Sequence, residues 1–510
     1  MPDVADDQEP VLRLLADPAT FGGAKVRRID THAASVSLAG ERALKVKRAV
    51  RFPFLDYSTL EKRKAACAAE IEVNQPFAPQ LYRGIVPITR EADGRLALNG
   101  RGTPVEWAVE MRRFDETRTL DRLADAGTID ETLADRLARA VATAHAKAPA
   151  VDAGPWIAAL ANFLDQNDAE FRQYPDLFPA DDIDRLSRAS RAALARLRPL
   201  LRRRGELGLV RRGHGDLHLG NVALIDGEPV AFDAIEFDPL IGAGDVLYDL
   251  AFLIMDLIER GLGAAANIVL NRYLGETRRA EDLDALAALP LFLSMRAAIR
   301  AKVTAARLVH ADNAARAAIA GAARTYFGLA GTLIAPAAPR LVAVGGLSGT
   351  GKSLLARALA PELLPPPGAV VLRSDVERKA RFGVGESERL PADAYDAAVT
   401  AQVYATLADK ARRVIAAGHS AIVDAVFARP EERAAIGAAA AGVPFRGLFL
   451  TADLATRLAR VGERKLDASD ADAAVARAQE EYDLGDIDWT RVDASGSPAE
   501  TLARAVFALG

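Results

Sequence analysis

Residues 42–50, RALKVKRAV, alternate apolar with basic side chains, the period-two pattern of a half-buried strand. Residues 26–50 as a whole read as strands, and the residues before them as a short lead-in helix. Further strands are expected at 81–88 and 105–111, with a hairpin, GRLALNGRG, between them. Ser58, Thr59, Leu60 and Glu61 form a capping box that opens a helix running through Asn74. From 117 to 205, and again from 244 to 335, the periodicity is helical. Between these stretches VALI and PVAF flank Asp226-Gly227, a strong two-residue hairpin signal. The most apolar stretch, VLYDLAFLIMDLI, carries Asp249 and Asp256, so it predicts a buried helix. No uncharged apolar run reaches the roughly 18 to 20 residues that a membrane span needs.

The Pro/Ala-rich IAPAAPR, residues 334–340, marks a domain boundary, giving domains 1–335 and 336–510. Beyond it LVAVGG predicts a strand, and further strands are expected at 370–375, 421–427, 445–451 and 490–495, with helical segments between them. Strands alternating with helices imply a parallel, doubly wound sheet. The expected fold classes are therefore a mixed α+β first domain and an α/β second domain.

Composition narrows the function classes. The 510 residues are 50% hydrophobic and 26% charged, as in a soluble globular protein. A net charge of −4 argues against nucleic-acid binding by bulk electrostatics. Cys67 is the only cysteine, so no intrachain disulfide can form, as expected in a reducing compartment. The acidic N-terminus lacks the apolar core of a secretory signal. These features together predict a cytoplasmic protein.

Two motifs carry chemistry. HGDLHLGN, residues 214–221, has the H-x-D-L-x-x-x-N form of a kinase catalytic loop. In that form Asp216 accepts or orients the proton of an attacking hydroxyl, and Asn221, five residues on, turns back to hold a metal ion. Asp233, just past the Asp226-Gly227 hairpin, supplies the carboxylate for magnesium. On these residues the chain resembles the aminoglycoside phosphotransferase-like family, choline-kinase-like enzymes included, over residues 20–335. The resemblance implies a protein-kinase-like fold. It makes Asp216 the catalytic base and Asn221 and Asp233 the magnesium ligands. It also implies that Asp249, in GDVLYDLAFL, braces the catalytic loop. Lys45 resembles the strand lysine that pairs with phosphates, although Lys47 shares its face. Glu70 is the expected ion-pair partner, ahead of Glu72, and residues 105–113, with Glu110 and Met111, would form the adenine-receiving hinge. One departure stands out. The stretch RIDTHAASVSLAG, where a glycine-rich loop would cover the phosphates, has no glycine before Gly40, which leaves Thr31, His32 and Ser35 as side-chain alternatives.

The second motif, GLSGTGKS, is a full Walker A sequence. Gly346, Ser348, Gly349, Thr350 and Gly351 would turn backbone N–H groups into one phosphate-binding concavity at a helix N-terminus. Lys352 would reach the β- and γ-phosphates, and Ser353 would ligate Mg²⁺. The following Asp375-x-x-Arg378 resembles the P-loop small-molecule kinases grouped with polynucleotide kinase, zeta toxin and chloramphenicol phosphotransferase. By that resemblance Asp375 activates an acceptor hydroxyl, Arg378 contacts substrate or phosphate, and Asp424 takes the Walker B place as a metal or substrate ligand. Arg457, Arg460 and Arg464 lie on an expected lid helix that would stabilise the transferring phosphoryl group. The reading is a bifunctional phosphotransferase using Mg²⁺ and ATP, with GTP an open alternative, on small hydroxylated substrates. Two other readings stay open: a first domain that only senses a ligand and gates the P-loop enzyme, and a 5′-hydroxyl nucleic-acid kinase.

Overall fold

The computed structural model describes residues 7–52, 55–462 and 468–510. The chain divides into two compact units, Met1–Pro175 with Leu194–Asp256, and Asp176–Ala193 with Leu257–Gly510.

The first unit carries a six-stranded antiparallel sheet in the order Val26–Asp30, Ala34–Ala39, Arg42–Lys47, Thr103–Arg112, Tyr82–Arg90, Leu96–Leu98. Alternation along Arg42–Lys47 puts Leu44 and Val46 into an apolar cluster with Val11 and Leu15 of the helix Glu9–Ala16. Lys45 and Lys47 take the opposite face, toward the helix Leu60–Asn74. That helix is capped by Thr59, whose hydroxyl accepts from the Lys62 N–H, one residue later than the expected cap. Ser58 is diverted instead: its hydroxyl donates to Asp56 Oδ1 at 2.6 Å. The expected turn at Asp226-Gly227 is present, with both residues at positive φ, 53° and 85°. This is the geometry whose twist matches a two-residue hairpin.

The long helical stretch from 117 to 205 is broken into Leu120–Asp125, Glu131–Lys147, Ala153–Phe171 and Ala180–Glu206. Short polar turns stop it. Asp130 accepts from Leu133 N–H at 2.7 Å and Asp152 from Gly154 N–H at 2.9 Å, each starting a new helix. Residues 243–245 are likewise a short strand, paired with Val210–Arg212, before the apolar helix Val246–Glu259 begins.

The second unit holds a five-stranded, fully parallel sheet in the order Val370–Arg373, Ala421–Asp424, Leu341–Gly346, Phe445–Thr451, Thr490–Asp493. Its core joins Val342, Val344, Ile422 and Leu448 to Leu355 and Leu359 of the helix after the P-loop and to Ala505 and Leu509 of the last helix. Three expected strands are shorter than read, the last of them ending at Asp493. Residues 374 and 375 open the helix Ser374–Arg381, and residues 425–427 leave the sheet as a loop in which Phe427 has φ 53°. The helix Asn313–Ile334 lies in the same unit. It is long and apolar enough by length and composition to cross a membrane, but it packs on its neighbours. Ser294 donates to Ala330 O at 2.8 Å, and the Phe178 and Phe327 rings lie 4.9 Å apart.

Buried His419 makes this unit acid-sensitive. Its Nε2 lies 2.8 Å from Gly368 O, which requires the proton on Nε2. Burial pulls its pKa from 6.5 to about 4, only partly opposed by the carbonyl bond. The unfolded ring takes a proton near 6.5, so this contribution is full above pH 6.5 and is lost as pH falls toward 4. The gap is worth about 3 kcal/mol. Urea unfolding across this range should show the stability of the protein falling more steeply than that of His419→Gln; parallel curves would exclude the histidine as the cause.

Candidate functional sites

In the first unit a chain of charges links the sheet, the helix Leu60–Asn74 and the loop after the hairpin. Lys45 Nζ lies 2.9 Å from Glu70 Oε1 and 2.5 Å from Asp233 Oδ1. Lys47 Nζ lies 2.5 Å from Glu70 Oε2 and also pairs with Glu236, which accepts from the Tyr57 hydroxyl at 2.8 Å. Both lysines thus reach Glu70, and Lys45 is the one that also meets Asp233; Glu72 is exposed on the same helix. Burial pulls the Lys45 ammonium down, but the charges of Asp233, Glu70 and Glu236 outweigh it and hold it well above its ordinary range. In return Lys45 holds the Asp233 carboxyl down to about 2.

The catalytic-type loop is fixed from below. Asn221 Nδ2 donates to Asp216 O at 2.9 Å and to Asp216 Oδ2 at 3.1 Å, joining the two residues expected as base and metal ligand. Asp249 accepts the N–H groups of His214 at 2.7 Å and Gly215 at 3.0 Å, and Asp256 accepts that of Leu219 at 2.9 Å. The two aspartates of the apolar helix therefore hold the loop by its backbone. Asp233 sits at φ 63°, a strained conformation for a residue other than glycine. Its N–H donates to Tyr82 Oη at 3.1 Å, and that of Ala234 to Asn74 Oδ1 at 3.0 Å. Glu110 and Met111 lie within the strand Thr103–Arg112, paired on both sides with Leu44 and Gly84 and with Ala43 and Tyr82. At the turn where a glycine-rich loop was missing, the Thr31 hydroxyl donates to Ala34 O and that of Ser35 to Asp30 Oδ1. His32 packs edge-on against Phe52.

In the second unit the Walker A residues join the strand Leu341–Gly346 to the helix Lys352–Leu359. Gly346 and Gly349 have φ of 136° and 88°, and a Cβ on them would meet Leu450 O at 2.6 Å and Arg457 O at 2.5 Å. No other residue fits this turn without displacing backbone. The loop borders a cavity of about 1250 Å³ lined also by Lys352, Ser353, Asp375, Arg378, Asp424 and Arg460. Ser353 Oγ donates to Asp424 Oδ2 at 2.5 Å, bringing the two expected metal ligands together. Arg373 donates to both, at 3.1 Å to Ser353 Oγ and 3.4 Å to Asp424 Oδ2. Lys352 Nζ lies 3.2 Å from Leu347 O, and the Thr350 hydroxyl donates to the same carbonyl at 2.8 Å. Burial, then the nearby Asp424 charge, raises the Asp375 carboxyl above its ordinary pKa.

The arginines divide. Arg378 is buried, donating to Ala394 O at 2.5 Å and Thr400 Oγ1 at 3.2 Å, with its guanidinium over the Tyr395 ring. Arg460 donates to Ala494 O and Gly496 O, both at 2.8 Å. Arg457, 1% exposed, grips Ser348 O at 2.9 Å and Ala476 O at 3.0 Å, so it braces the P-loop from behind. Arg464 lies outside the described residues. Besides Arg373, Tyr82 and Asn74, three more participants escaped the sequence reading. Gln479 Oε1 accepts the Ser348 N–H at 2.6 Å. Asp470 ties together Lys379, Tyr395 and the Leu390 N–H on the cavity wall. Glu236 lies three residues past Asp233. None has a motif at fixed spacing, although the polar run DASDAD around Asp470 is unusual for a helix surface.

The Phosphotransferase enzyme family model matches residues 45–289, and the AAA domain model matches residues 341–482. The uncharacterized protein Rv2004c of Mycobacterium tuberculosis is 32% identical over 493 residues, covering 93% of this chain and 94% of that protein. The chain belongs to the same family as Rv2004c and carries both of these domains. The uncharacterized protein Mb2027c of Mycobacterium bovis matches to the same extent. Among solved structures, a choline/ethanolamine kinase family protein from Mesorhizobium loti is 14% identical, covering 64% of this chain and 98% of its own, with a TM-score of 0.37. A gluconokinase from Sinorhizobium meliloti 1021 is 20% identical, covering 34% and 91%, with a TM-score of 0.25. By its two domain matches the chain is a phosphotransferase. Its phosphotransferase domain has the kinase-like fold expected from HGDLHLGN, and its P-loop domain has the parallel sheet expected from the strand–helix alternation.

Proposed function

We propose that the fused kinase is a bifunctional, ATP-dependent, cytoplasmic phosphotransferase acting on hydroxyls of small molecules, with the P-loop domain as its main catalyst. The observation that carries this is the convergence of Lys352, Ser353, Asp375 and Asp424 on one cavity, with Ser353 bonded to Asp424. The site fits Mg·ATP. Its glycine turn packs so closely on Leu450 and Arg457 that only glycine permits the loop conformation, and it offers a hydroxyl and a carboxylate side by side. When bound, magnesium neutralises charge on the transferring phosphates, and Ser353 and Asp424 would hold it. Lys352 would exchange Leu347 O for the phosphates. Asp375 would take the proton of the acceptor hydroxyl, and Arg378 and Arg460, which line the same cavity, would face the charge on the phosphoryl group. In the phosphotransferase domain Asp216 would act as base, Asn221 and Asp233 would hold the metal, and Lys45 would meet the phosphates.

A base works only when deprotonated, so P-loop turnover should rise with pH through the raised Asp375 pKa. Asp424→Asn removes a neighbouring negative charge and should move this acid limb to lower pH, besides lowering the rate. An unmoved limb would take the base role from Asp375.

The engaged hydroxyls of Thr31 and Ser35 favour a second reading, in which the phosphotransferase domain senses a ligand and does not transfer phosphate. An ATP-consumption screen over hydroxylated metabolites, repeated with Asp216→Ala and Asp375→Ala, assigns each hit to a domain. Hits lost only with Asp375→Ala select the sensing reading, and turnover confined to 5′-hydroxyl oligonucleotides would overturn the small-molecule assignment.

A further inference from the structure

The outer strand of the parallel sheet, Val370–Arg373, has its free edge covered inside the second unit by the helix Gly263–Thr277. Asn271 does this as a strand would. Its Nδ2 donates to Ala369 O at 3.0 Å, and its Oδ1 accepts from Val371 N–H at 2.7 Å. Asn267, 3% exposed, adds a bond from Nδ2 to Ala369 O at 3.1 Å. Arg272, next to Asn271 on the helix, pairs with Glu386 at 2.9 Å. The helix therefore grips the chain at residues 369–371 and again at 386. The segment between these grips holds Arg373, which bonds Ser353 and Asp424, and then Asp375 and Arg378 on the cavity wall.

A buried and a half-buried amide on one helix are costly unless paired, and here their pairing goes to a single strand edge. An uncovered edge would also invite strand addition from another chain. Those needs would be met anywhere along the edge. The contacts instead fall at the two ends of the segment that carries the acceptor-side residues. The helix belongs to the stretch matched by the phosphotransferase family, residues 45–289, and the segment it grips belongs to the stretch matched by the AAA domain, residues 341–482.

We propose that the helix Gly263–Thr277 is the scaffold of the acceptor half of the P-loop site, and that Asn271 is a positioning residue for Asp375. The inference rests on the reading of Asp375 as the base. It explains why the two domains come as one chain: the kinase-like domain lends the P-loop enzyme part of its acceptor wall. The nucleotide half, built on Lys352 and Ser353, is reached from this helix indirectly, through Arg373, and is held by its own glycine turn and helix, so it should respond less than the acceptor side.

The test uses full-length protein in an Asp216→Ala background, which silences the first site, with Mg·ATP and water as the acceptor. Asn271→Ala should lower kcat of basal hydrolysis by about tenfold with the KM for ATP within about twofold, because chiefly the acceptor side is misplaced. Hydrogen exchange should rise across residues 369–386, while Mg·ATP should protect peptides from 346–359 as before. Arg272→Gln, a milder change at the other grip, should raise exchange near residue 386 with a smaller loss of kcat. A rise in KM with unchanged kcat, or exchange rising equally in the P-loop peptides, would overturn the proposal. The exchange result stands apart from the kinase reading: if Asp375→Ala leaves hydrolysis intact but Asn271→Ala still loosens 369–386, the scaffold holds and the base assignment fails.

Discussion

Lys352→Ala should cut turnover at the P-loop site by about 10²- to 10³-fold, the loss expected when a charged group aimed at the transferring phosphoryl is removed. Lys352 is the first residue of its helix, where its ammonium adds to the field of the N-terminal N–H groups, and alanine keeps the helix but deletes the charge. Alanine removes the Nζ contact to Leu347 O, while Leu355, Ala356 and Leu359 keep the helix anchored in the core. The fold should therefore survive, and circular dichroism with thermal unfolding close to that of the parent protein is the control. Turnover that persists in Lys352→Ala and disappears in Asp216→Ala would move the main activity to the phosphotransferase domain.

A second large effect is expected in the other domain. Lys352→Ala protein should retain one Mg·ATP site by calorimetry, and adding Asp233→Ala should remove it, lowering affinity by more than about tenfold. Asp233 is the carboxylate nearest to Lys45, and the strained backbone at φ 63° presents it. Alanine tolerates that left-handed backbone less well than aspartate, so it adds strain as well as deleting the charge. Asp233→Asn is therefore the cleaner variant: it keeps the shape and cannot match the charge. Undiminished binding in both variants would exclude Asp233 as a metal ligand, and absence of any site in Lys352→Ala would favour the P-loop as the sole nucleotide site.

Much of this was legible in the sequence because the chemistry demands local spacing. The Walker A turn, the loop from His214 to Asn221 and the Asp226-Gly227 hairpin each need particular residues at adjacent positions, and each lies where the pattern puts it. The parallel sheet followed from alternation of strands and helices. What was not legible depends on contacts far apart in the chain. Asn271 meets Val371 across a hundred residues. Gln479 meets Ser348 across more than that, and nothing in the residues around it signals a P-loop partner. Arg457 shows the opposite failure. On its helix it shares the pattern of a solvated basic face with Arg460, yet it lies buried behind the P-loop. The helix breaks at Asp130 and Asp152 were missed for a local reason. Single capping side chains restart the helix, and an alanine-rich background hides them.

The row of groups running Asp233, Lys45, Glu70, Lys47 and Glu236 ends on a neutral phenol, Tyr57. A triphosphate with its cation brings both signs at once. Its oxygens can take Lys45 while the cation takes Asp233, and the inner pair of Glu70 and Lys47 stays as it was. Entry is then an exchange of ionic partners with little new charge separated from solvent. Affinity at this site should accordingly change only weakly with added salt, and the domain should meet its nucleotide with the helix Leu60–Asn74 already in place.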